Sequence, residues 1–346
     1  MSSRRKRKKK KILAACILAG AAFLAVMTPI TIRLYREKKA VEAEIAGREY
    51  GEWESGSGYP GVTIEYEGKT YRRSSYVKAI LCMGVDREGP MTETTTHTFG
   101  GQADGIFVIA QDTARNTLKV LMIPRDTMTE ITLTDLSGNV LGKEMQHLTL
   151  AYAYGDGREQ SCESMMEAVE ELLGGMKLDH YMAADIDVIA MLNDAAGGVT
   201  VTIPVEGMEE RDPALKKGAT VTLMGDQAET FVRYRNRNEH YSAIDRMERQ
   251  QQYIAGFFQA VQKKSREDSQ VVTRMFDQME DHMVTDMAKD EYLKIAMDAL
   301  NSGDIASNDF YTLPGQSKAT WLYDEYYADE EALMPILLDM FYREVS

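Results

Sequence analysis

The stretch YVKAILCMG, residues 76–84, indicates the fold because it is a nearly continuous apolar run that leads into Gly-Val-Asp. A short apolar run of this kind is typical of a strand that is buried on both faces of a sheet. Two further strands are predicted after it, at residues 105–112 (GIFVIAQD) and 117–124 (TLKVLMIP), with a turn at residues 114–116. We therefore expect a sheet with these three strands among its members.

Helix and strand patterns alternate beyond these strands, which predicts an α/β fold. Helices are expected at residues 160–174 and 187–196, and strands at residues 180–186 and 199–204. The fold class predicted is a three-layer α-β-α domain, in which helices cover both faces of a central mixed sheet. A hairpin is predicted at residues 62–73. The later part of the chain is predicted to be mostly helical, at residues 225–232, 246–264, 268–280, 288–301 and 329–343.

The N-terminal region has the pattern of a membrane anchor. Residues 1–11 contain eight basic side chains, and residues 12–32 contain no charged side chain over 21 positions, about the length that crosses a bilayer as a helix. The excess of basic residues before the span predicts a cytoplasmic N-terminus and an extracytoplasmic domain in the cell membrane, with a single span. A cleaved signal peptide is the competing interpretation, but this apolar run is longer than the apolar region of a usual signal peptide. Residues 33–61 are predicted to be a linker, and residues 62–346 the folded domain.

Charge and cysteine content restrict the possible functions. The net charge is −14, and because residues 1–11 are strongly basic, the rest of the chain has a net charge of −22. Such an acidic body is not expected to bind nucleic acid, which requires a basic surface. The chain has three cysteines, and Cys16 lies in the apolar run. Cys82 and Cys162 are expected to be free thiols, because their neighbours predict a buried strand and a helix start.

Five arginines are concentrated within residues 231–252, FVRYRNRNEHYSAIDRMERQQQ. Arg246, Gln250, Ile254, Phe257 and Val261 follow at helical spacing, so a polar end leads into an apolar stripe on one helix face. The preceding part alternates, which would place Arg233 and Arg235 on one side if it is extended. Guanidinium groups suit phosphate because they donate two parallel hydrogen bonds. The alternative interpretation is an arginine cluster paired with nearby carboxylates.

Carboxylates are predicted at the ends of the central strands. Asp86 follows the first strand, Asp104 begins the second, and Arg125 and Asp126 follow the third. Side chains at strand ends commonly form the ligand sites of α/β proteins. Two carboxylates beside arginines provide what phosphoryl transfer requires: oxygen ligands for Mg²⁺, cations for charged oxygens, and an acceptor for a hydroxyl proton. Taken singly, each of these charged residues more commonly has a structural role, such as capping a turn or forming an ion pair, and only their combination favours a site. The sequence contains no P-loop, GxSxG or HExxH motif.

These motifs together resemble the LytR-CpsA-Psr family of Gram-positive envelope proteins. The resemblance extends through seven ordered blocks between about residues 78 and 256: ILCMGVDREG, GQADGIFVIAQD, LKVLMIPRDTM, HLTLAYAYGDG, LNDAAGGVTVTIP, GDQAETFVRYRNR and IDRMERQQQYI. Members of this family are phosphotransferases that move a glycan polymer, such as teichoic acid or capsule, from an undecaprenyl diphosphate carrier onto a hydroxyl of peptidoglycan. The resemblance thus implies a lipid-linked glycan donor, a peptidoglycan acceptor and a membrane location.

The resemblance also implies roles for individual residues. Asp86 and Asp104 would hold Mg²⁺, and an apolar channel bounded by the stripe at Ile254 would take the polyprenyl tail. Asp86, Arg125, Arg233 and Arg235 would be catalytic. The groups expected to bind the diphosphate of the polyprenyl diphosphate-linked substrate are Arg125, Arg233, Arg235, Arg246 and Gln250, with Arg87 and Arg249 as further candidates.

The chain departs from the family pattern at two places. The usual Lys-Ile-Asn reads His147-Leu148-Thr149 here, and the usual Leu-Asp-Gly before the arginine stretch has Met224 in place of Asp. Two other functions remain open at this stage. One is a hydrolase that cleaves diphosphate lipids with water, and the other is a non-enzymatic lipid-glycan receptor or transcriptional attenuator.

Overall fold

The computed structural model describes residues 63–91, 100–235, 242–303, 305–321 and 323–345. The predicted basic tail, membrane span and linker, at residues 1–11, 12–32 and 33–61, lie outside these ranges. Within them, no helix has both the length and the apolar composition needed to cross a membrane. The strands are, in chain order, β1 Thr63–Tyr66, β2 Lys69–Arg73, β3 Val77–Val85, β4 Ala103–Asp112, β5 Thr117–Met122, β6 Met128–Thr134, β7 Val140–His147, β8 His180–Ala184, β9 Val199–Thr202, β10 Thr220–Leu223, β11 Met283–Thr285, β12 Phe310–Thr312, β13 Gly315–Ala319, β14 Asp324–Ala328 and β15 Tyr342–Val345.

The central sheet has six strands in the order β11-β8-β3-β4-β5-β12. Strand β3 pairs antiparallel with β4 and parallel with β8, while β5 pairs antiparallel with β4 and parallel with β12. The sheet is therefore mixed, as predicted. Strands β3, β4 and β5 form its centre because their apolar residues alternate between two covered faces.

Helices cover both faces of this sheet, which confirms the predicted three-layer architecture. Ile80 and Cys82 of β3 pack on one face with Phe107 of β4 and with residues of helix α7, Lys289–Asn301. On the opposite face, helix α1, Thr149–Ala153, contacts β4, and helix α2, Glu159–Leu172, contacts β8. The helices are α1 Thr149–Ala153, α2 Glu159–Leu172, α3 Asp187–Ala195, α4 Asp226–Arg233, α5 Ser242–Glu267, α6 Val271–Met279, α7 Lys289–Asn301 and α8 Glu330–Phe341.

Several elements differ from the sequence-based predictions. The strand predicted at residues 199–204 forms as β9, but it pairs with β10 in a separate two-stranded sheet. The C-terminal part contains strands β11 to β15, which a mostly helical prediction omits. These strands have three to five residues each, too few for an alternating pattern to be recognised. Their partners lie far away in the sequence, as in the pairing of β15 with β2.

The two described cysteines are buried free thiols, as predicted. Cys82 lies on β3, where burial raises the pKa of its thiol to about 12. Burial also raises the pKa of Cys162, with a smaller contribution from the charge of Asp156. A thiol that stays protonated at neutral pH is a poor nucleophile, so these side chains serve as small apolar groups in the core.

Candidate active site

The site is built at one edge of the central sheet. Because β4 runs antiparallel to both β3 and β5, the end of β3, the start of β4 and the end of β5 meet at this edge. Asp86 directly follows β3, Asp104 is the second residue of β4, and Arg125 lies three residues after β5. The structure thus brings together three side chains that the sequence assigned to one rim.

A β-bulge orients Asp104 at this edge. Gly84 of β3 is paired with Gly105, but the next residue, Val85, is paired with Ala103, so Asp104 is the extra residue. The backbone N–H of Asp86 donates to Gln102 at 2.9 Å, which continues the strand contact beyond the bulge. Bulges change the direction of a side chain and are common next to active sites. Here the bulge turns the Asp104 carboxylate towards the arginines.

Asp104 is the common partner of two arginines from different elements. Arg246 of α5 donates to one carboxylate oxygen at 2.9 Å and to the main-chain oxygen of Asp104 at 3.1 Å. Arg125 donates to the other carboxylate oxygen and pairs with Asp126 at 3.2 Å. Burial lowers the pKa of Arg246, and the negative charge of Asp104 opposes this effect. The Nε atom of Arg246 is buried and has no hydrogen-bond partner among the described residues.

Arg233 and Arg235 enter from the end of α4. Arg233 is the last residue of this helix and donates to Asp86 at 2.6 Å and to Glu229 at 2.5 Å. Burial opposes its charge, but the Glu229 hydrogen bond and the charge of Asp86 outweigh burial, so the pKa of Arg233 is raised. Arg235 lies close enough to Arg246 for its charge to lower the pKa of that residue. The alternation expected for an extended segment does not apply, because Arg233 is helical.

Gln250 also lies at the sheet edge, one helical turn after Arg246. A methyl group built on Gly105 would lie 3.7 Å from the Gln250 side-chain nitrogen, so the amide is placed over the strand next to Asp104. The apolar residues that follow on α5 divide between two clusters. Ile254 packs against Val120 and Met122 of β5, whereas Val261 packs into a cluster with α6.

Arg249 has a different orientation from the other predicted ligand-binding arginines. It is buried, and it donates to the backbone oxygens of Phe231, Asp245 and Tyr234. Its guanidinium lies 5.7 Å from the centre of the Tyr234 ring. These contacts bind the guanidinium to the backbone next to Arg233 and Arg235, so they favour a positioning role over direct contact with a ligand.

Arg87 lies on the loop that follows β3 and donates to the backbone of Pro90 at 3.4 Å. This loop is held by the start of helix α3, where the N–H of Gly89 donates to the side chain of Asp187 at 2.9 Å. Asp187 belongs to a compact group with Asp185 and His282 whose ligand-type atoms lie within 4.8 Å of one another. Burial raises the pKa of Asp185, and the hydrogen bond from His282 opposes this effect. Because Asp187 carries a bond to the loop, this group supports the position of Asp86.

Two contributors to the cluster were absent from the sequence prediction. Glu229 pairs with Arg233, and the side-chain oxygen of Gln102 accepts from Arg125 at 3.3 Å. Glu229 precedes Arg233 by four residues, and this spacing on a helix is a recognisable ion-pair signal. Gln102 offered no such signal, because its position depends on the bulge. His147 also lies near the rim: burial lowers its pKa, and Arg125 is close enough for its charge to lower that pKa further.

Apolar side chains continue from the rim along the face of the sheet towards α5 and α7. Phe107 and Ile109 of β4 are only partly buried there, together with Ile254 of α5 and Ile295 of α7. None of the residues of α7 is fully buried, although the helix is amphipathic. Incomplete burial on both sides leaves apolar surface accessible next to the charged cluster.

The residues at the rim fit a magnesium ion in their chemistry. Asp86 and Asp104 present carboxylate oxygens from adjacent strand ends, and carboxylate oxygen is the protein ligand that Mg²⁺ prefers. Magnesium sites typically use one or two carboxylates and leave the remaining positions to water and substrate phosphates. Two carboxylates beside four arginines suit a magnesium ion that shares its ligands with a phosphate group better than one whose ligands all come from the protein.

The fold is a three-layer α/β domain with a cluster of carboxylates and arginines at one edge of the sheet, beside partly buried apolar side chains. Residues 61–337 match the model of the LytR_cpsA_psr family, and the chain belongs to this family.

Known relatives support this assignment. The chain is 28% identical over 193 residues to the polyisoprenyl-teichoic acid–peptidoglycan teichoic acid transferase TagU of Halalkalibacterium halodurans, covering 56% of this chain and 55% of that protein. The match therefore spans about half the length of the relative. Related proteins with such names are teichoic acid transferases, which are enzymes.

Two solved structures show the same fold. Protein gbs0355 from Streptococcus agalactiae has a TM-score of 0.61 at 19% identity, over 77% of this chain and 87% of that chain. TagT bound to LI-WTA has a TM-score of 0.58 at 17% identity, over 77% of this chain and 90% of that chain.

Proposed function

We propose that this protein is a membrane-anchored, Mg²⁺-dependent phosphotransferase that moves a glycopolymer from a polyprenyl diphosphate carrier onto peptidoglycan. The glycopolymer is of the teichoic acid or capsular type. One observation supports the proposal most strongly: the arginine cluster around Asp104 lies directly beside a partly open apolar face that includes Phe107. A lipid diphosphate is a ligand with these two parts in this order. The names of the relatives agree with this chemistry.

Arginines from three elements would bind the diphosphate oxygens. Arg125 follows β5, Arg233 and Arg235 follow one another at the end of α4, and Arg246 lies on α5. Without ligand, Arg125, Arg233 and Arg246 pair with carboxylates, so an incoming diphosphate would replace these anionic partners. Gln250 would add an amide hydrogen bond at the same edge. Fixed cations of this kind stabilise charge that develops during phosphoryl transfer.

Asp86 and Asp104 would hold the Mg²⁺ ion, which neutralises phosphate charge when bound. The two carboxylates differ in their surroundings. Asp104 is held by two arginines, whereas Asp86 is half exposed and has one arginine partner in the described residues, Arg233. The exposed carboxylate is the better placed of the two to accept a proton from an arriving sugar hydroxyl.

The polyprenyl tail would lie along the sheet face between α5 and α7, against Phe107, Ile109 and Ile254. Burial of such a chain contributes roughly 0.8 kcal/mol per methylene group. The predicted span at residues 12–32 would anchor the protein in the membrane that contains the donor, with the domain on the extracytoplasmic side. Anchoring enzyme and lipid donor in the same bilayer raises the local concentration of the donor.

The experiment that tests this proposal uses the full chain in detergent micelles with a short-chain diphosphate-linked glycan and a peptidoglycan oligosaccharide, with Mg²⁺ or with EDTA. Mass spectrometry identifies the product. A phosphodiester between glycan and acceptor that requires Mg²⁺ supports transfer. Free glycan phosphate in the presence of acceptor instead indicates that water is the acceptor and the protein is a hydrolase.

Variants connect this activity to the site. Arg125→Ala and Arg233→Ala should each lower turnover by about 10²–10³, the usual effect of removing one donor to a developing anion. Arg274→Ala is the matched control, because Arg274 forms an exposed ion pair with Asp268 away from the rim. Near-normal transfer by a folded Arg125→Ala or Arg233→Ala variant would contradict the assignment.

A further inference from the structure

The hairpin β13–β14 extends the rim beyond Arg125. Its second strand is attached to the segment that follows Arg125, because the N–H of Tyr326 donates to the backbone oxygen of Asp126 at 2.9 Å. A parallel bridge between Thr127 and Tyr326 continues this contact. Tyr326 is buried, and its hydroxyl donates to Leu313 at 2.6 Å. The base of the hairpin is therefore fixed next to the arginine end of the cluster.

The turn of this hairpin presents two aromatic side chains to solvent. Trp321 is 63% exposed and Tyr323 is 52% exposed. Thr320 and Tyr323 close the turn with reciprocal bonds: the N–H of Thr320 donates to the Tyr323 oxygen at 2.9 Å, and the N–H of Tyr323 donates to the Thr320 hydroxyl at 3.1 Å. These bonds fix the backbone at Thr320 and Tyr323, which lowers the entropy lost when a ligand binds there.

Tyr323 also contacts His147, the residue that stands where the family pattern has lysine. The two rings are 4.7 Å apart between centroids, at an interplanar angle of 81°. His147 ends β7 and is paired with Met128, three residues after Arg125. The contact therefore joins the turn of the hairpin to the rim by a second route, independent of the backbone bonds at Tyr326.

Two exposed aromatic residues on a hairpin attached beside the arginine cluster suit a sugar ring. Aromatic faces bury the apolar C–H face of a pyranose and leave the hydroxyl groups at its edge in water, where polar groups such as the half-buried Glu325 are available. Tyrosine and tryptophan provide this area at a low cost in side-chain entropy.

We propose that Trp321 and Tyr323 form a subsite for a pyranose ring of the acceptor saccharide, next to Arg125. This inference rests on the proposed transferase function. The donor already has two means of recognition, its charged diphosphate and its apolar tail. The reacting hydroxyl of the acceptor belongs to a sugar that provides neither, so the acceptor requires a surface of a third kind adjacent to the arginines. The hairpin provides such a surface, and His147 holds Tyr323 in position.

Trp321 makes this subsite directly measurable. The chain contains two tryptophans, so Trp53→Phe leaves Trp321 as the single tryptophan reporter. We would titrate this full-length variant with a peptidoglycan tetrasaccharide and, separately, with a short-chain diphosphate-linked glycan, and record tryptophan emission. A saturable change with the tetrasaccharide is expected. Tyr323→Ala should weaken this binding roughly tenfold, from the loss of about 50 Å² of apolar contact.

Tyr76→Ala is the matched control, because Tyr76 is also 63% exposed but lies at the opposite end of β3 from the rim. It should bind the tetrasaccharide like the parent. In the transfer assay, Trp321→Ala and Tyr323→Ala should raise KM for the acceptor roughly tenfold and leave kcat and the KM for the donor unchanged. Unchanged melting temperatures would show that both variants fold.

The outcomes separate this inference from the proposed function. Tetrasaccharide binding that depends on Tyr323, in a protein that forms no product, would retain the subsite and refute the transferase. Transfer with an unchanged acceptor KM in both variants would refute the subsite and retain the transferase. No emission change up to about 10 mM tetrasaccharide, or a response to the donor alone, would also overturn the subsite.

Discussion

Asp104→Asn should destabilise the domain, although it changes a proposed metal ligand at the edge of the fold. The Asp104 side chain is 21% exposed, and the side chain of its partner Arg246 is 8% exposed. Asparagine keeps the shape of aspartate but provides one oxygen instead of two, and it has no charge. Either Arg125 or Arg246 then faces the amide N–H group of the asparagine instead of an oxygen. The buried charge of Arg246 also loses its counter-ion.

The magnitude follows from these contacts. A hydrogen bond to a charged group contributes about 1.5–3 kcal/mol, and the substitution removes one such bond and weakens another. We expect a loss of about 2–3 kcal/mol in the free energy of unfolding, which corresponds to a decrease of about 3–5 °C in melting temperature for a domain of this size. The control is Asp86→Asn. Asp86 is 47% exposed and its partner Arg233 is 37% exposed, so this pair should contribute less than about 1 kcal/mol.

The melting temperatures of both variants are measured in EDTA, without metal, by monitoring thermal unfolding with circular dichroism. Inorganic pyrophosphate should then reduce the difference between Asp104→Asn and the parent protein, because an anion bound to Arg125 and Arg246 replaces the missing carboxylate. Ligand at 100 times its Kd stabilises a protein by about 2.7 kcal/mol, which is sufficient for detection. Equal melting temperatures for Asp104→Asn and Asp86→Asn, or a difference that pyrophosphate does not change, would refute this account of the cluster.

Three further predictions concern residues that support the site. Gly207→Ala should lower transfer activity about tenfold or more, because a methyl group at this positive-φ position would overlap the hydroxyl of Tyr234, the residue between Arg233 and Arg235 in the sequence. Gly218→Ala is the control: Gly218 also has positive φ but open space around it, so transfer activity should be preserved. Arg249→Lys should reduce the free energy of unfolding, measured by urea titration, by about 2–4 kcal/mol, because lysine cannot donate to all three carbonyl groups that arginine binds. A loss below about 1 kcal/mol would contradict the positioning role of Arg249. Burial lowers the pKa of His147 below 6.5, so the neutral side chain contributes its full stability above pH 6.5 and this contribution decreases as the pH falls towards the folded-state pKa. His147→Gln should therefore flatten the decline in melting temperature between about pH 7 and 5. An unchanged slope of melting temperature against pH would contradict this account.

The sequence was sufficient to predict the rim because its residues follow recognisable strands. The apolar runs at β3, β4 and β5 predicted where each strand ends, and antiparallel pairing then placed Asp86, Asp104 and Arg125 at one edge. Helices with regular apolar spacing were predicted within a few residues of their bounds, as for α2 and α7.

Features that depend on tertiary contacts were not predictable in this way. The bulge at Asp104 results from the pairing of two strands, and the inward direction of Arg249 depends on where three carbonyl groups lie. The hairpin β13–β14 has no local pattern that distinguishes it from a loop, so its relation to Arg125 emerged only from the fold. The roles of the rim residues in binding metal and diphosphate, and the N-terminal anchor, remain predictions.

The pairing of β15 with β2 also determines when this domain can finish folding. Lys69 and Glu344 form an ion pair across this small sheet, 275 positions apart in the chain. The buried Arg73 guanidinium is bound by the backbone oxygen of Phe341 in the same region. Contacts with such separation form late, because a long loop must close first. During synthesis the β1–β2 hairpin must therefore wait for residues 342–345, and until they arrive the edge of β2 is open to pairing with other chains, which exposes nascent molecules to aggregation.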